Sequence, residues 1–201
     1  MRTTRAVIAT AAFALALAAT PAHAAEPVWK VANPAADGKF KAVAPTLTVT
    51  SQSGTFTVTC SNVTLSGPMA SKSDTSTFVG TAVLQPTDQC TDSAGRPWRL
   101  FSPSFSFSQL NAKGYDQATG RTTVEAAVPF FSLASRASDF ACSVILQNRP
   151  WTYTNATSVL KTTTAESITD SDKCQFPKGS TPTFAADFKV TPAVKITRIP
   201  A

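Results

Sequence analysis

Hydrophobic and polar residues alternate with a period of two along much of the chain. The segments TLTVT (46–50) and TFTVTC (55–60) each place apolar side chains on one face and threonines on the other. The segments FSPSFSFS (101–108) and FAADFKV (184–190) repeat the pattern with phenylalanines. Such alternation is typical of strands with one buried and one solvated face. The chain is therefore predicted to be rich in half-buried β-strands.

Residues that favour turns separate these segments at short intervals. The strongest turn signals lie at 51–54, 66–68, 93–95, 116–120 and 178–180. The segment 123–140 comes closest to a helical pattern, but Pro129 interrupts it, so we expect a strand and a loop with one helical turn in LASRASDF. The predicted fold is all-β, an antiparallel sandwich or barrel of about ten to twelve short strands.

The first 24 residues have the pattern of a secretory signal peptide. Arg2 and Arg5 precede an apolar run from Ala6 to Ala19, and small residues occupy the positions that a signal peptidase recognises. The run is shorter than the ~20 apolar residues that span a bilayer. We therefore expect cleavage after Ala24 and release of residues 25–201 as a single extracellular domain without a membrane anchor.

The charge of the mature chain excludes one class of partner. Removal of the signal peptide leaves 16 basic side chains against 12 acidic ones, a net charge of +4. These charges are scattered and form no basic run of the kind that binds nucleic acid. The mild positive charge is compatible with a weak attraction to anionic cell-wall polymers.

Four cysteines predict two disulfides. Cys60, Cys90, Cys142 and Cys174 would enter an oxidising compartment, where cysteines pair. A zinc site would need closely spaced cysteines or histidines, so no metal is expected. Short loops close more easily than long ones. This favours pairing Cys60 with Cys90 and Cys142 with Cys174, although the other two pairings stay open.

The absence of a mature histidine removes most catalytic mechanisms. The only histidine, His23, lies in the predicted signal peptide. The mature chain therefore lacks the base of a Ser-His-Asp or Cys-His system and any histidine-ligated catalytic metal. Ser158 and Lys161 have the Ser-x-x-Lys spacing of penicillin-recognising enzymes, but their surroundings are strand-like, whereas that motif needs a helix. We expect no enzyme and no cofactor.

Glycoside hydrolysis is an enzymatic alternative that needs no histidine, because two carboxylates suffice. The candidates are Glu125 and Glu166, with Asp139, Asp170 and Asp172 in reserve. Their spacing in sequence does not determine their distance in space. The competing interpretation is that they are ordinary surface carboxylates.

Aromatic side chains are the candidate ligand-binding residues. Extracellular β-domains bind sugars by stacking exposed rings on them, and Trp98, Tyr115, Trp151 and Tyr153 could supply such a face. The alternative for each is packing in the core, which is the commoner fate of a large aromatic side chain.

Several of these segments together resemble a known group of proteins. Trp29 is followed by Asn-Pro and Asp-Gly pairs at 33–34 and 37–38, and then by TVTC, PWRLFS, LNAKGYDQATGRTT, YTNAT and FKVTPAVKIT. The chain thereby resembles a family of small secreted proteins of unknown function from high-GC Gram-positive bacteria. It departs from that family in having fewer glycines around the third and fourth cysteines. The resemblance implies secretion and carries no catalytic residue.

These observations favour a secreted, non-catalytic β-domain that binds cell-envelope material, polysaccharide or a protein partner. One alternative is a barrel that holds a small apolar ligand, suggested by the phenylalanine-rich strands. A second is the carboxylate-dependent hydrolase. A third is an inhibitor that exposes the RPW segment near Cys90.

Overall fold

The computed structural model describes residues 26–102, 108–126, 131–138, 142–148, 150–167 and 175–200. The predicted signal peptide lies outside these residues. The described part of the chain is all-β and contains no helix. Accordingly, none of the described residues form a helix long and apolar enough to cross a membrane. The expected helical turn in LASRASDF is absent from the described part of that segment, since β10 occupies its first residues.

Fifteen strands are formed by the described residues, more than the ten to twelve expected from the sequence. The first eight are β1 (Val28–Ala32), β2 (Lys39–Thr50), β3 (Thr57–Pro68), β4 (Lys72–Asp74), β5 (Phe78–Leu84), β6 (Thr87–Asp92), β7 (Pro97–Phe101) and β8 (Ser108–Asp116). The others are β9 (Arg121–Ala126), β10 (Phe131–Ser135), β11 (Ser143–Asn148), β12 (Trp151–Thr154), β13 (Val159–Ser167), β14 (Thr183–Thr191) and β15 (Lys195–Ile199).

Twelve of these strands form a closed antiparallel barrel with eight strand positions around the ring. We call each position a wall, and four of the walls consist of two short strands in succession. β5 and β6 follow the same edge of β3 in succession, and β12 and β11 follow the same edge of β13. β7 pairs with β6 and β10, while β8 pairs with β5 and β9. The walls in chain order are therefore β2, β3, β5–β6, β7–β8, β9–β10, β11–β12, β13 and β14. Pairing of β14 with β2 closes the ring, so the sequence-based choice between sandwich and barrel is decided for the barrel.

Both ends of the barrel are covered. At one end, Phe56 packs on Trp98 and Phe176, with ring centroids 5.8 and 5.6 Å apart. At the other end lies a three-stranded sheet in the order β15-β1-β4. Asn155 fixes this sheet to the barrel, because its amide donates to the Ile196 carbonyl (2.8 Å) and accepts from the Ile196 N–H (2.9 Å).

Aromatic side chains fill the middle of the barrel. Trp151 stacks between Phe131 and Phe188, at centroid distances of 6.0 and 5.8 Å, and Phe184 contacts Phe131 at 4.5 Å. All four are at most 1% exposed. They come from three different walls, so the hydrophobic core is continuous across the barrel.

The turn predictions are confirmed at four positions and wrong at one. Turns 51–54, 93–95, 116–120 and 178–180 each carry a glycine with positive φ. The predicted turn at 66–68 lies within β3 instead. Gly67 is required there by a close approach of the chain, because a Cβ would lie 2.2 Å from the Thr81 carbonyl oxygen.

The predicted pairing of Cys60 with Cys90 is confirmed. The two cysteines lie directly opposite each other on β3 and β6. Cys142 is also disulfide-bonded, but its predicted partner, Cys174, lies outside the described residues. The second pairing therefore stays a prediction.

A buried carboxylate holds the β6–β7 hairpin to the core. Asp92 accepts hydrogen bonds from the backbone of Ala94 (2.9 Å) and Arg96 (3.0 Å), from Arg96 Nε (2.7 Å) and from Trp98 Nε1 (3.1 Å). Burial alone would raise the pKa of Asp92, but these hydrogen bonds outweigh it, and the pKa lies below its usual value of 3.8. The folded state therefore favours the charged carboxylate.

We expect Asp92→Asn to lower the free energy of unfolding by about 1–3 kcal/mol at neutral pH, because bonds to a charged acceptor are lost. A lowered folded-state pKa contributes stability above the unfolded value, and this is lost as the pH falls through the folded value. The difference between wild type and variant should thus be constant above about pH 5 and shrink below about pH 4. Urea unfolding across this range measures it. A difference that persists undiminished at low pH would contradict the role of the charge.

Candidate functional site

Three of the four candidate aromatic residues lie in the core. Trp98 is 0%, Trp151 1% and Tyr153 3% exposed. The Tyr153 hydroxyl donates to the Val194 carbonyl, and burial raises the pKa of this tyrosine. These side chains present no exposed ring face, so the packing interpretation holds for them and the predicted stacking platform is not formed by these three.

Tyr115, the fourth candidate, is half-buried at the rim of a groove at the end of the barrel where the three-stranded sheet lies. This end groove has a volume of about 330 Å³, and Gln117 and Arg198 line it together with Pro27 and Pro200. The Arg198 guanidinium also lies over the ring of Trp29, 5.7 Å from its centroid. Tyr115 is therefore the candidate aromatic whose position is compatible with ligand contact.

The structure places two of the five carboxylate candidates, and they lie on different strands. Glu125 lies on the outside of β9, 3.4 Å from the Lys113 ammonium group. Glu166 lies on β13, opposite Gln147. Asp139, Asp170 and Asp172 lie outside the described residues. Within those residues, no group of three or more His, Cys, Asp or Glu side chains is placed to hold a metal ion.

The two residues of the Ser-x-x-Lys match, Ser158 and Lys161, lie in different surroundings. Ser158 is 5% exposed and has a φ of 52° in the β12–β13 turn, whereas Lys161 points outward from β13. Lys161 pairs with Asp187 on β14 at 3.3 Å. A strand context was the reason for setting this motif aside, and β13 confirms that context.

The described part of the barrel interior leaves little room for a ligand. Near the three-stranded sheet, apolar side chains that include Phe40, Met69 and Leu160 surround a cavity of about 20 Å³. This is comparable to the space that one water molecule needs. The described part of the interior is thus a packed core, as is usual for eight-stranded barrels whose side chains meet in the centre.

A larger cleft lies on the outer surface. This outer groove crosses β9, β12, β13 and β14, has a volume of about 560 Å³, and continues towards β2 as a second depression of about 440 Å³. The two parts share Lys161, Thr162 and Asp187. Its other lining residues include Arg121, Pro150, Thr152, Thr154, Thr157, Pro45, Thr46 and Thr48.

Irregular pairing explains why a barrel wall is concave here. The register shifts between Thr162 and Thr164 where β13 meets β14, and between Ala186 and Lys189 where β14 meets β2. In β2, Pro45 and the next residue are both exposed while the residues on either side are buried, which is the pattern of a β-bulge. Bulges bend a strand and increase its twist. The outer groove lies where these irregularities meet.

The chemistry of the outer groove is that of hydroxyl groups and a few charges. Threonines supply most of its polar lining, and the charged residues among the described lining are Arg121, Lys161 and Asp187. The ammonium group of Lys189 reaches the groove edge, where it donates to the Thr157 carbonyl. Hydroxyls both donate and accept hydrogen bonds, so this surface can bind a ligand that does the same.

Cross-strand register places the cations in two rows. Arg121 lies opposite Thr154, which lies opposite Val159, which lies opposite Lys189. Lys161 is two residues further along β13, in the next row. Neighbouring strands are about 4.8 Å apart, so Arg121 and Lys189 span roughly 14 Å across the sheet.

Sequence reasoning missed this groove. Its threonines were interpreted as the ordinary solvated face of strands, which is what each of them is when taken alone. Pro45 within an alternating segment was the available signal, because proline inside a strand occurs at edges and bulges.

Comparisons with protein families, characterised proteins and solved structures find no match to this chain.

Proposed function

We propose that this protein is a secreted, non-catalytic β-barrel domain that binds polysaccharide of the cell envelope through the outer groove. Secretion rests on the predicted signal peptide, and the Cys60–Cys90 disulfide is compatible with an oxidising compartment. The barrel acts as a rigid support, and its outer wall carries the site.

The observation that carries this proposal is the hydroxyl-lined groove across four to five walls. Thr152 and Thr154 on β12 and Thr46 and Thr48 on β2 face the same continuous depression. A polysaccharide is long, flexible at its linkages and covered with hydroxyl groups, so it can follow such a groove and exchange hydrogen bonds along it. A compact apolar ligand gains little from these contacts, because each threonine hydroxyl would lose its water without a replacement partner.

The packed interior supports an external site over an internal one. Trp151, Phe131 and Phe188 occupy the space that a barrel-enclosed ligand would need. The half-exposed position of Glu125 beside Lys113 supports a surface role for that carboxylate. A binding function therefore accounts for more of the described structure than hydrolysis or transport of a small apolar molecule does.

Removing hydroxyls from the outer groove tests the proposal. We expect the double variant Thr152→Val, Thr154→Val to bind insoluble cell-wall polysaccharide about tenfold more weakly, since each lost hydrogen bond contributes about 0.5–1.5 kcal/mol. Valine has the shape of threonine, so the melting temperature should change little. Retention of purified protein on washed cell-wall material, titrated over protein concentration, measures the affinity.

A matched pair of threonines provides the control. Thr59 and Thr91 lie opposite each other on β3 and β6 and do not line the outer groove. The variant Thr59→Val, Thr91→Val should bind like the wild type. If both double variants bind equally well while Gln117→Ala loses binding, the end groove is the site, and the outer groove is not.

A further inference from the structure

We propose that the polysaccharide bound by the outer groove is acidic, with carboxylate groups on successive sugar units. This inference rests on the proposed function and specifies its ligand. It is carried by the charges of the groove and by their spacing, neither of which a neutral glycan would use.

Cations outnumber the acid at the outer groove. Among the described residues, Arg121 and Lys161 line it and Lys189 reaches its edge, against the carboxylate of Asp187. The side chains of Lys161 and Asp187 are 56% and 60% exposed, so their ion pair is weak and can open. Asp116 lies near Arg121 but does not line the groove. The pKa of Asp116 is lowered chiefly by the hydrogen bond from the Thr119 hydroxyl and also by the charge of Arg121.

The spacing of the cations requires a chain of several sugars. Arg121 and Lys161 are two strands and one row apart, a backbone separation of roughly 12 Å, and Lys189 is one strand beyond Lys161 in the row of Arg121. These distances exceed the width of one sugar ring. A single uronic acid therefore meets one cation at a time, whereas an oligomer meets all three while its hydroxyl groups face Thr152 and Thr154.

The combination of separated cations and hydroxyl groups favours a polyuronate over a polyphosphodiester. The three cations are separated by neutral threonines, and one of them is offset by Asp187. Each sugar of a polyuronate carries free hydroxyl groups beside its carboxylate, so it can bond to the threonines between the cations as well as to the cations themselves. The guanidinium of Arg121 presents a planar fork that fits a carboxylate through two parallel hydrogen bonds.

Asp187 has a specific role in this arrangement. Its carboxylate lies 3.3 Å from the Lys161 ammonium group and competes with an anionic ligand for it. Removing that charge should strengthen binding of an acidic glycan and leave a neutral glycan unaffected. A gain of affinity is a result that damage to the fold does not produce.

Two probes with the same backbone test the inference. Polygalacturonate carries one carboxylate on each sugar, and its methyl ester carries none. We expect the wild type to bind polygalacturonate at least about tenfold more tightly at low salt, and the preference to fade between about 0.01 and 1 M NaCl, as the screening length falls from about 30 to about 3 Å. Galacturonic acid itself should bind too weakly to detect, and affinity should rise with oligomer length.

Charge variants locate the effect in the groove. Arg121→Gln and Lys161→Gln should each weaken binding of polygalacturonate several-fold and leave the methyl ester unaffected, while Asp187→Asn should strengthen binding of polygalacturonate. Lys195→Gln, on β15 and away from the groove, is the matched control and should behave like the wild type. Calorimetry or affinity electrophoresis with each purified variant gives the comparison.

Failure of the inference differs from failure of the proposed function. Equal, salt-independent binding of both probes would overturn the acidic ligand and leave polysaccharide binding standing. Tighter binding of a poly(glycerol phosphate) chain than of polygalacturonate would overturn the carboxylate assignment. Absence of binding to both galacturonan probes and to cell-wall material would overturn both proposals.

Discussion

Replacing Trp151 by alanine should lower the free energy of unfolding by about 3–5 kcal/mol, the usual cost of truncating a large buried aromatic side chain. Trp151 is 1% exposed and stacks between Phe131 and Phe188, so alanine leaves a cavity that its rigid neighbours cannot fill. Urea unfolding followed by circular dichroism measures the loss. Binding to cell-wall polysaccharide at a temperature where the variant is folded should be unchanged.

Two variants control this result. Trp151→Phe keeps an aromatic ring between the same neighbours and should cost clearly less than alanine. Phe78→Ala removes a ring that is 41% exposed and should change stability least of the three. A Trp151→Ala protein with wild-type stability and weakened polysaccharide binding would mean that the ring acts as an exposed sugar platform, contrary to its burial.

Removing the Cys60–Cys90 disulfide should cost about 3.5–4 kcal/mol, the value that the chain-entropy model gives for a sequence separation of 30 residues. The double variant Cys60→Ala, Cys90→Ala tests it, because the two positions lie opposite each other on β3 and β6 and alanine fits the buried sites. The melting temperature should fall by many degrees relative to the oxidised wild type.

Reduction separates the contribution of the crosslink from that of the buried sulfur atoms. A reducing agent should lower the stability of the wild type more than that of the double variant, since the variant has already lost one of its crosslinks. An equal effect of the reducing agent on both proteins would show that this disulfide contributes little to stability.

Period-two alternation was enough to predict several of the strands and the fold class. FAADFKV forms β14 with the predicted alternation throughout, because every second side chain of that strand enters the core. The same reasoning did not reveal the changes of phase in β2 and β3. In β3 two consecutive exposed residues, the second of them Asn62 with a φ of 54°, let both halves of the strand face one interior.

The functional interpretation depended even more on tertiary structure. Trp98 was a candidate for an exposed stacking face, yet its indole N–H donates to buried Asp92 and its ring is in the core. The outer groove is the reverse case, because the sequence analysis did not predict it and the tertiary structure forms it. Thr152, Lys161 and Asp187 come from separate segments and become neighbours only through the pairing of β12, β13 and β14.

The sequence by itself determined that the chain is all-β, that Cys60 and Cys90 were the favoured pair, and that a histidine-dependent reaction is excluded from the predicted mature protein. These conclusions depend on local periodicity, on loop length and on composition, which are properties of the chain before it folds. Closure into a barrel, burial of the aromatic residues and assembly of the outer groove were decided only by the tertiary structure. Each depends on which strands become neighbours and on where bulges shift their faces, and those contacts join residues far apart in sequence.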